Sequence, residues 1–551
     1  MGNNILIKNG NVMDGTGNPA SRTDVLIKGD QIEDIGLFED VDAEKIIDAK
    51  DLIIAPGFID VHTHLDFLLP SVRHAEVLEK WVRMGVTTIV GGNCGFSPAP
   101  INHDNEKNIK IYWNFALPRD SLEFQWDTMQ DYLNFLEKGG QALNVAMLTG
   151  HNTLRNNVMG FNARFATPKE ISEMTDQLVE SLDAGTFGLS LGLGYVPGIY
   201  SHTDELMELA SVLTDYKLPL IPHTRGLSNL YDKAVEEVIN IAEQNKIPLQ
   251  ISHNGSFDVS AGSRANEIIK NAMKRGVKIG YDMLPYLGGS STAFCGLSPL
   301  LLDGGVEKCF ERLQDPEIRE KTIQDIKKNA KIKWPNWDNQ YWTDVYLRSS
   351  KWEKILSIKM FMHGFRLKKN RKFENMPLKK IAKILKKNYL EVFLDFVQEE
   401  QEGLFFSGFS TSEKISDKLM KDIINDPNCS IETDVVGADF NIAHPIQYGA
   451  FTKVLGNLAR DKKYMPMEEA VRKMSSLPAQ QMQIDERGII KKGFFADIIV
   501  FDPKTVKCVA TFDDPYKNSV GIENVIINGK LVLENGKYKA RALAGKVLRK
   551  T

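Results

Sequence analysis

Cysteine, long apolar runs and excess positive charge are all scarce in this sequence of 551 residues. The five cysteines are scattered and odd in number, so we expect no disulfide framework and a reducing, cytoplasmic location. Neither a stretch long enough for a membrane span nor an N-terminal signal-peptide pattern is present, so we predict a chain without a membrane span. The formal net charge of −4 argues against a nucleic-acid partner.

Both ends of the chain are rich in short alternating strands separated by turn residues. Residues 24–30 near the start and 496–502 near the end are examples of such strands. We therefore expect residues 1–55 and 486–551 to combine into one small β-sandwich domain that encloses a longer middle region.

The middle region, residues 56–485, alternates short apolar strands with amphipathic helices such as 168–184 and 231–244. Eight strand–helix units in one domain are typical of the α/β class and of a (β/α)8, TIM-like barrel, whose active site lies at the carboxyl ends of the strands. The eight strand candidates are 52–60, 87–90, 144–148, 188–193, 219–221, 249–251, 278–281 and 429–432.

The spacing between the last two strand candidates is too long for one strand–helix unit. We interpret residues of about 290–415 as an insertion near the barrel mouth that could act as a lid. It contains four tryptophans and a predicted helical stretch over 378–400. Lysine and arginine crowd residues 351–387, which indicates either a solvated helix face or a patch that contacts a membrane or an acidic substrate.

Side chains of the metal-binding type follow five of the strand candidates. In a barrel the carboxyl ends of the strands meet at one rim, so these side chains are expected to converge on one point. Imidazole, thiolate and carboxylate groups together favour a transition-metal site. The six candidate ligands are His62, His64, Cys94, His223, His253 and Asp434.

Several motifs along the chain resemble those of the amidohydrolase superfamily, and more closely those of the N-acyl-D-amino-acid deacylases, or D-aminoacylases. They include APGFIDVHTHLDF, GGNCGFSPAP, NVAMLTGHNTLR, IPHTRG, LQISH, ETDVVG, HPIQYGAFTKVLG and KKGFFADIIVFDP. The resemblance implies that the six candidate ligands surround a zinc site of one or two ions, with Cys94 as a bridge. Many cyclic-amide hydrolases of the superfamily use a lysine on strand four, whereas residues 187–193 contain none.

The resemblance implies a zinc-dependent hydrolase that cleaves the amide C–N bond of a small N-acyl compound. Asp434 would take a proton from water and deliver it to the leaving nitrogen. Hydrolysis of another amide, a cyclic amide, a carbamate or an ester is the alternative activity. A non-catalytic scaffold is disfavoured because all six ligands are retained, and a homo-oligomer is compatible with the sequence.

Four further residues are candidate substrate contacts. His151 follows strand three and could polarise the substrate carbonyl or shape the pocket. Arg225 follows strand five, whereas Tyr286 and Ser290 follow strand seven.

The sequence departs from the deacylase pattern where that family holds the free carboxylate of its product. The family uses a lysine, a tyrosine, a serine and an arginine, whose places are taken here by Gly255, Leu284, Ser290 and Ile446. Only the serine remains, which removes charge-assisted hydrogen bonds of about 1.5–3 kcal/mol each. We therefore expect the metal chemistry to be retained and the substrate specificity to be altered.

Overall fold

The computed structural model describes residues 4–39, 41–119, 122–227, 229–256, 258–327, 331–335, 342–346, 360–401, 403–409, 420–440, 442, 444–540 and 542–550. Eight parallel strands, numbered first to eighth below, run in chain order through its middle. They are Phe58–Asp60, Val86–Gly91, Asn144–Met147 continued by Thr149–Gly150, Leu189–Gly192, Leu220–His223, Leu249–Ile251, Ile279–Met283 and Cys429–Ile431.

These strands form two parallel sheets that share the third strand. The first three strands pair in one sheet, and the third to the eighth pair in the other. Just beyond the ends of the eighth and first strands, the backbone N–H of Asp434 donates to the carbonyl oxygen of His62 over 3.0 Å. The α/β class predicted from the sequence is thus confirmed, and the two outermost strands approach each other at their carboxyl ends.

The first predicted strand, 52–60, divides into two strands that belong to different sheets. Ile53–Pro56 pairs with Ile498–Phe501 in a terminal sheet, whereas Phe58–Asp60 begins the parallel set. Gly57 separates them, and a Cβ at this position would lie 2.3 Å from the side chain of Thr87. The chain can therefore pass this close to the second strand only where it has no side chain.

The two ends of the chain build two sheets around one apolar core. One sheet has four strands, in the order Gln31–Gly36, Asp24–Lys28, Asn4–Lys8 and Lys45–Asp48. The other has seven strands, in the order Lys537–Tyr538, Lys530–Glu534, Ile522–Ile527, Ile498–Phe501, Ile53–Pro56, Asn11–Val12 and Ser21–Arg22. Buried aliphatic residues of both sheets, such as Ile27 and Ile526, pack in one cluster.

Helices cover the parallel strands, and their sequences explain where they begin. Pro168–Asp183 has proline in its first turn and a capping box between Thr167 and Glu170, and it buries Met174 and Leu178 on one face. The other helices before the insertion are His74–Arg83, Glu106–Tyr112, Met129–Gly139, His151–Met159, Thr203–Tyr216, Tyr231–Asn245 and Val259–Lys274. Ile446–Thr452, the π-helix Lys453–Asp461, Met467–Met474 and Ser476–Gln481 follow the eighth strand.

A separate subdomain lies between the seventh and eighth strands. It contains an antiparallel sheet in the order Gly288–Thr292, Phe405–Phe409, Met360–His363 and Met376–Pro377, and a hairpin of Lys331–Pro335 with Trp342–Tyr346. Its helices are Val306–Arg312, Pro316–Lys327, Leu378–Leu385 and Tyr389–Glu399. The helical stretch predicted over 378–400 is confirmed as two helices, because Lys386 adopts a left-handed φ of 54° and Asn388 caps a new helix.

Part of the predicted insertion falls outside the described residues, including Trp337, Trp352 and the basic residues of 351–359. Among its described lysines, Lys387 pairs with Asp395 over 2.9 Å, and Lys379 and Lys380 are exposed. Within the described part of the chain, no helix combines the length and apolarity needed to cross a membrane.

Asp497→Ala is expected to destabilise the chain, because Asp497 ties the terminal sheet to the parallel strands. Its Oδ2 pairs with Arg487 and accepts from Asn144 over 2.9 Å, and its Oδ1 accepts from the backbone of Asn528 over 2.8 Å. Removing the carboxylate leaves Arg487 buried without its counter-ion, at a cost of about 3–5 kcal/mol. The midpoint of urea unfolding should fall clearly, whereas Asp485→Ala, at an exposed pair with Lys550, should leave it nearly unchanged. Equal midpoints for the two variants would contradict this role.

Candidate metal centre and active site

The thiol of Cys94 lies at the centre of three imidazoles. Its Sγ is 3.4 Å from Nε2 of His62, 3.6 Å from Nδ1 of His223 and 3.7 Å from Nε2 of His253. The facing nitrogens of His223 and His253 are 2.8 Å apart. Four ligands predicted from strand ends far apart in the sequence thus meet at one point.

Asp434 and His64 extend this cluster on the side of His62. Asp434 Oδ1 lies 3.0 Å from Nε2 of His64 and 3.5 Å from Nε2 of His62. Overlapping groups of donor atoms, each within 4.8 Å of one another, connect all six predicted ligands. The structure therefore brings the complete predicted set together.

Three of the six ligands adopt a left-handed backbone conformation. Cys94, His253 and Asp434 have φ values of 52°, 37° and 42°. Such values are unfavourable for residues with a Cβ and are found mainly where the surroundings impose them. At each position the chain turns sharply after its strand, and the turn directs the side chain into the cluster.

The loop that carries Cys94 is held by a serine of the fourth strand. Ser190, in the fourth strand, donates to the carbonyl oxygen of Gly92 and accepts from the backbone N–H of Gly95 over 3.1 Å. Asp66 also holds this loop by accepting from the backbone of Gly92 over 2.9 Å. The fourth strand thus supports the thiol instead of supplying a ligand of its own.

Sequence reasoning missed two buried carboxylates that face Nδ1 of His62. Glu432 Oε2 lies 3.1 Å from this nitrogen and Asp282 Oδ1 lies 3.7 Å from it. Asp282 also accepts from the backbone N–H of His253 over 2.6 Å, so it supports two ligands at once. Glu432 could have been predicted from the sequence, because it precedes Asp434 by two residues and residues two apart on a strand point to the same face.

Burial keeps two of the imidazoles neutral. It lowers the pKa of His223 well below its ordinary value, with a further contribution from His253, and it lowers the pKa of His253 to about 4. A neutral imidazole nitrogen is the form that binds a metal ion. Both side chains are therefore ready to act as ligands near neutral pH.

The carboxylates give the other side of the cluster a strong preference for positive charge. Burial lowers the pKa of His62, but Asp434 and Asp282 outweigh it and the pKa ends above its ordinary value. Burial raises the pKa of Asp434, but His62 and His64 hold it below its ordinary value. Neutral nitrogens, a thiol and an ionised carboxylate beside a site that favours positive charge fit a bound metal cation.

Burial and the negative charges of Asp434 and Glu432 raise the pKa of the Cys94 thiol. A coordinating metal ion reverses such a shift by stabilising the thiolate.

Aromatic rings close one side of the cluster. The centroid of the Tyr195 ring lies 4.5 Å from that of His223, and the Trp113 ring contacts His64 edge-on at 5.3 Å. Phe115 lies 5.8 Å from His64 and 6.2 Å from Phe405 of the insertion. These rings limit the access of water to the donor atoms, and the insertion lies directly beside them.

Two of the predicted substrate contacts are engaged within the protein. Arg225 is 1% exposed, and its guanidinium donates to Glu237 over 3.0 Å and to the carbonyl oxygen of Ser201 over 2.7 Å. His151 is fully buried and lies 2.7 Å from Glu205 through Nε2. This geometry favours a structural role for both side chains, since their hydrogen bonds are made to neighbouring helices and loops.

The other two predicted contacts differ in position. Ser290 lines a small cavity beside Asp434. Tyr286 is buried behind this cavity, where its ring contacts His444 at 5.0 Å and its hydroxyl lies 3.6 Å from Cys508 Sγ. Of the four predicted contacts, Ser290 is thus the one that lines the same cavity as the predicted ligand Asp434.

Comparison with known proteins identifies the family. The amidohydrolase family matches residues 45–322 and 411–533, which is more than half of the chain, so the chain belongs to this family. The chain is 29% identical to the D-aminoacylase of Alcaligenes xylosoxydans xylosoxydans over 558 residues, covering 99% of this chain and 98% of the relative. It is 28% identical to the N-acyl-D-glutamate deacylase of the same organism, covering 99% and 96%.

Solved structures give the same result. The N-acyl-D-glutamate deacylase of Bordetella bronchiseptica, solved with zinc and a phosphonate that mimics its tetrahedral intermediate, matches with a TM-score of 0.78, 27% identity and full coverage of both chains. A D-aminoacylase with a binuclear metal centre, activated by one metal and attenuated by a second, matches with a TM-score of 0.79, 27% identity and 99% coverage of both chains. The predicted resemblance to this family is confirmed.

Asp282→Asn is expected to weaken metal binding without removing a ligand. The amide would lose the negative charge that faces His62 and the charge-assisted bond to the backbone of His253. Changes to groups that orient metal ligands typically weaken affinity about 10–100-fold. Competition between the protein and a chromogenic chelator for zinc measures the effect, with Asp176→Asn on an exposed helix face as the control. Wild-type affinity in the Asp282 variant would show that this carboxylate does not support the site.

Proposed function

We propose that this chain is a zinc-dependent hydrolase that cleaves the amide C–N bond of a small N-acyl compound. The observation that carries the proposal is the convergence of the six donor side chains in one connected cluster, in which Cys94 joins the four imidazoles and Asp434 joins His62 and His253. The similarity to D-aminoacylase and to N-acyl-D-glutamate deacylase over nearly the whole chain supports the same reaction class.

The proposal includes a closed barrel. The eight parallel strands in chain order, the contact between Asp434 and His62, and structural similarity to D-hydantoinase with a TM-score of 0.55 support a (β/α)8 barrel over residues 56–485. Residues 1–55 and 486–551 would then form the β-sandwich domain, with the insertion of about 290–415 beside the barrel mouth.

The donor atoms form two overlapping sets that share Cys94, one with His223 and His253 and the other with His62 and His64. Asp434 groups with His62 and His253, one residue from each set, so the site has donors for one or two zinc ions. When bound, zinc supplies Lewis-acid polarisation of a carbonyl and a lower pKa for water at the site. The shared thiol would hold two ions close together if both sets were filled.

Asp434 is the group best placed to move protons. Its carboxylate is held ionised by His62 and His64, which lower its pKa, and it lines the cavity beside the cluster. An ionised carboxylate can accept a proton from water and then deliver it to the leaving nitrogen. Tyr195, Trp113 and Phe115 would keep bulk water away from these transfers.

Asp434→Asn should reduce turnover by about 10²–10⁴-fold, because an amide cannot accept the proton. Hydrolysis of N-acetyl amino acids and their amides would be followed by release of the amine, with zinc content measured on the same sample. The exposed Asp422 provides the control variant, Asp422→Asn, which should keep wild-type rates. A zinc-loaded Asp434 variant with wild-type turnover would exclude Asp434 as the proton carrier.

Removal of metal by a chelator should abolish hydrolysis, and added zinc should restore it. The midpoint of thermal unfolding should fall in the metal-free protein and recover with zinc, because the ion binds the folded state. Hydrolysis that persists after metal has been removed to below one ion per ten chains would contradict a metal-dependent mechanism.

A further inference from the structure

A small cavity adjoins Asp434, and its walls are mainly apolar. Five aliphatic side chains and three uncharged polar ones line it together with Asp434 and Gly289. The aliphatic residues are Leu284, Val435, Val436, Ile442 and Ile446, and the polar residues are Ser290, His444 and Gln447. All five aliphatic side chains are buried.

Covalent geometry fixes which part of a substrate would face this cavity. A nitrogen that receives a proton from Asp434 must come within about 3 Å of the carboxylate. The carbon of a carboxylate on the neighbouring carbon atom lies only about 2.5 Å from that nitrogen. The group carried by the leaving amine therefore lies within about 5.5 Å of the Asp434 carboxylate, and we assign it to the cavity that Asp434 lines.

The described side chains that line the cavity include no lysine or arginine. Lys453 lies nearby, but its Nζ donates to the carbonyl oxygen of Pro285 over 2.6 Å and lies 3.5 Å from the centroid of the Tyr286 ring. Lys80 lies behind Gln447, where it donates to Oε1 over 3.2 Å and to the carbonyl oxygen of Ala438 over 3.0 Å. Both ammonium groups are thus engaged by other groups of the protein.

A free carboxylate in this cavity would lose water without gaining a positively charged partner, and it would lie beside the negative charge of Asp434. A buried charge without a partner is strongly unfavourable. An alkyl group would instead contact the aliphatic wall, and a carboxamide would contact the wall and hydrogen-bond to Ser290. The polarity of the wall thus matches an uncharged group.

Resting on the proposed function, we propose that the substrate is an N-acyl compound whose leaving amine carries no free carboxylate next to its nitrogen. We assign this specificity to Leu284 and Ile446, because these two of the five aliphatic wall residues take the places of a tyrosine and an arginine in the deacylase pattern. The substrate class would then differ from the N-acyl-D-glutamate named for one relative.

The test uses two probes that differ only in the critical group, N-acetyl-DL-leucine and N-acetyl-DL-leucinamide. Their binding to the zinc-loaded Asp434→Asn protein, which lacks the charge of Asp434 and so reports the effect of the cavity wall alone, would be measured by calorimetry. Their hydrolysis by the wild-type holoenzyme would be measured separately. The amide should bind at least about tenfold more tightly than the acid. Equal or tighter binding of the acid, or no binding of either probe, would overturn the proposal.

The two measurements separate the specificity from the proposed function. Tighter binding of the amide without its hydrolysis by the wild-type enzyme would keep the specificity and count against the proposed hydrolysis. Faster hydrolysis of the acid than of the amide would support the proposed hydrolysis and count against the proposed specificity. If the Asp434 variant does not fold, inhibition of the wild-type enzyme by leucine and by leucinamide gives the same comparison.

A pair of variants at Ile446 tests the wall directly. Ile446→Arg places a guanidinium at the cavity and should shift the ratio of binding constants toward the acid by at least about tenfold. Ile446→Met has a similar length without the charge and should keep the preference for the amide. An unchanged ratio in the arginine variant would show that Ile446 does not contact the group on the leaving amine.

Discussion

The meeting of the Cys94 thiol with three imidazole nitrogens is the constraint on which the rest of the site depends. Each partner comes from a different strand end, so the contact exists only when the strands stand in their observed register. The left-handed turns at Cys94 and His253 and the support of the thiol loop by Ser190 follow from the same requirement. The left-handed backbone conformation at these turns is unfavourable by itself, but the buried contacts around each turn hold it in place.

Burial and neighbouring carboxylates set the protonation of the imidazoles around Cys94. Burial keeps His223 and His253 neutral, while Asp434 and Asp282 raise the pKa of His62. A cluster that has neutral donor nitrogens on one side and stabilises positive charge on the other is suited to a cation of high charge. Proton transfer by Asp434 and the placement of an uncharged leaving group are then consequences of where this carboxylate lies relative to the cavity.

Sequence periodicity was sufficient to find the parallel strands and the residues just beyond their ends, because parallel strands bring their carboxyl ends to one edge. It could not reveal Asp282 or Ser190, whose roles depend on which loops lie across from them. It also placed Gly57 inside one long strand, since an apolar run does not show that its two halves pair with different sheets. The pairing of Arg225 with Glu237 could not be predicted either, because Glu237 lies on the helix that follows and is not marked by any motif.

The most direct test of the account is X-ray absorption at the zinc edge of the metal-loaded protein. The account predicts one sulfur neighbour at about 2.3 Å together with nitrogen and oxygen neighbours at about 2.0–2.2 Å. The sulfur signal should disappear in Cys94→Ser and persist in Cys309→Ser, since Cys309 is buried in the insertion. A zinc environment without sulfur in the wild-type protein would contradict the central role of Cys94.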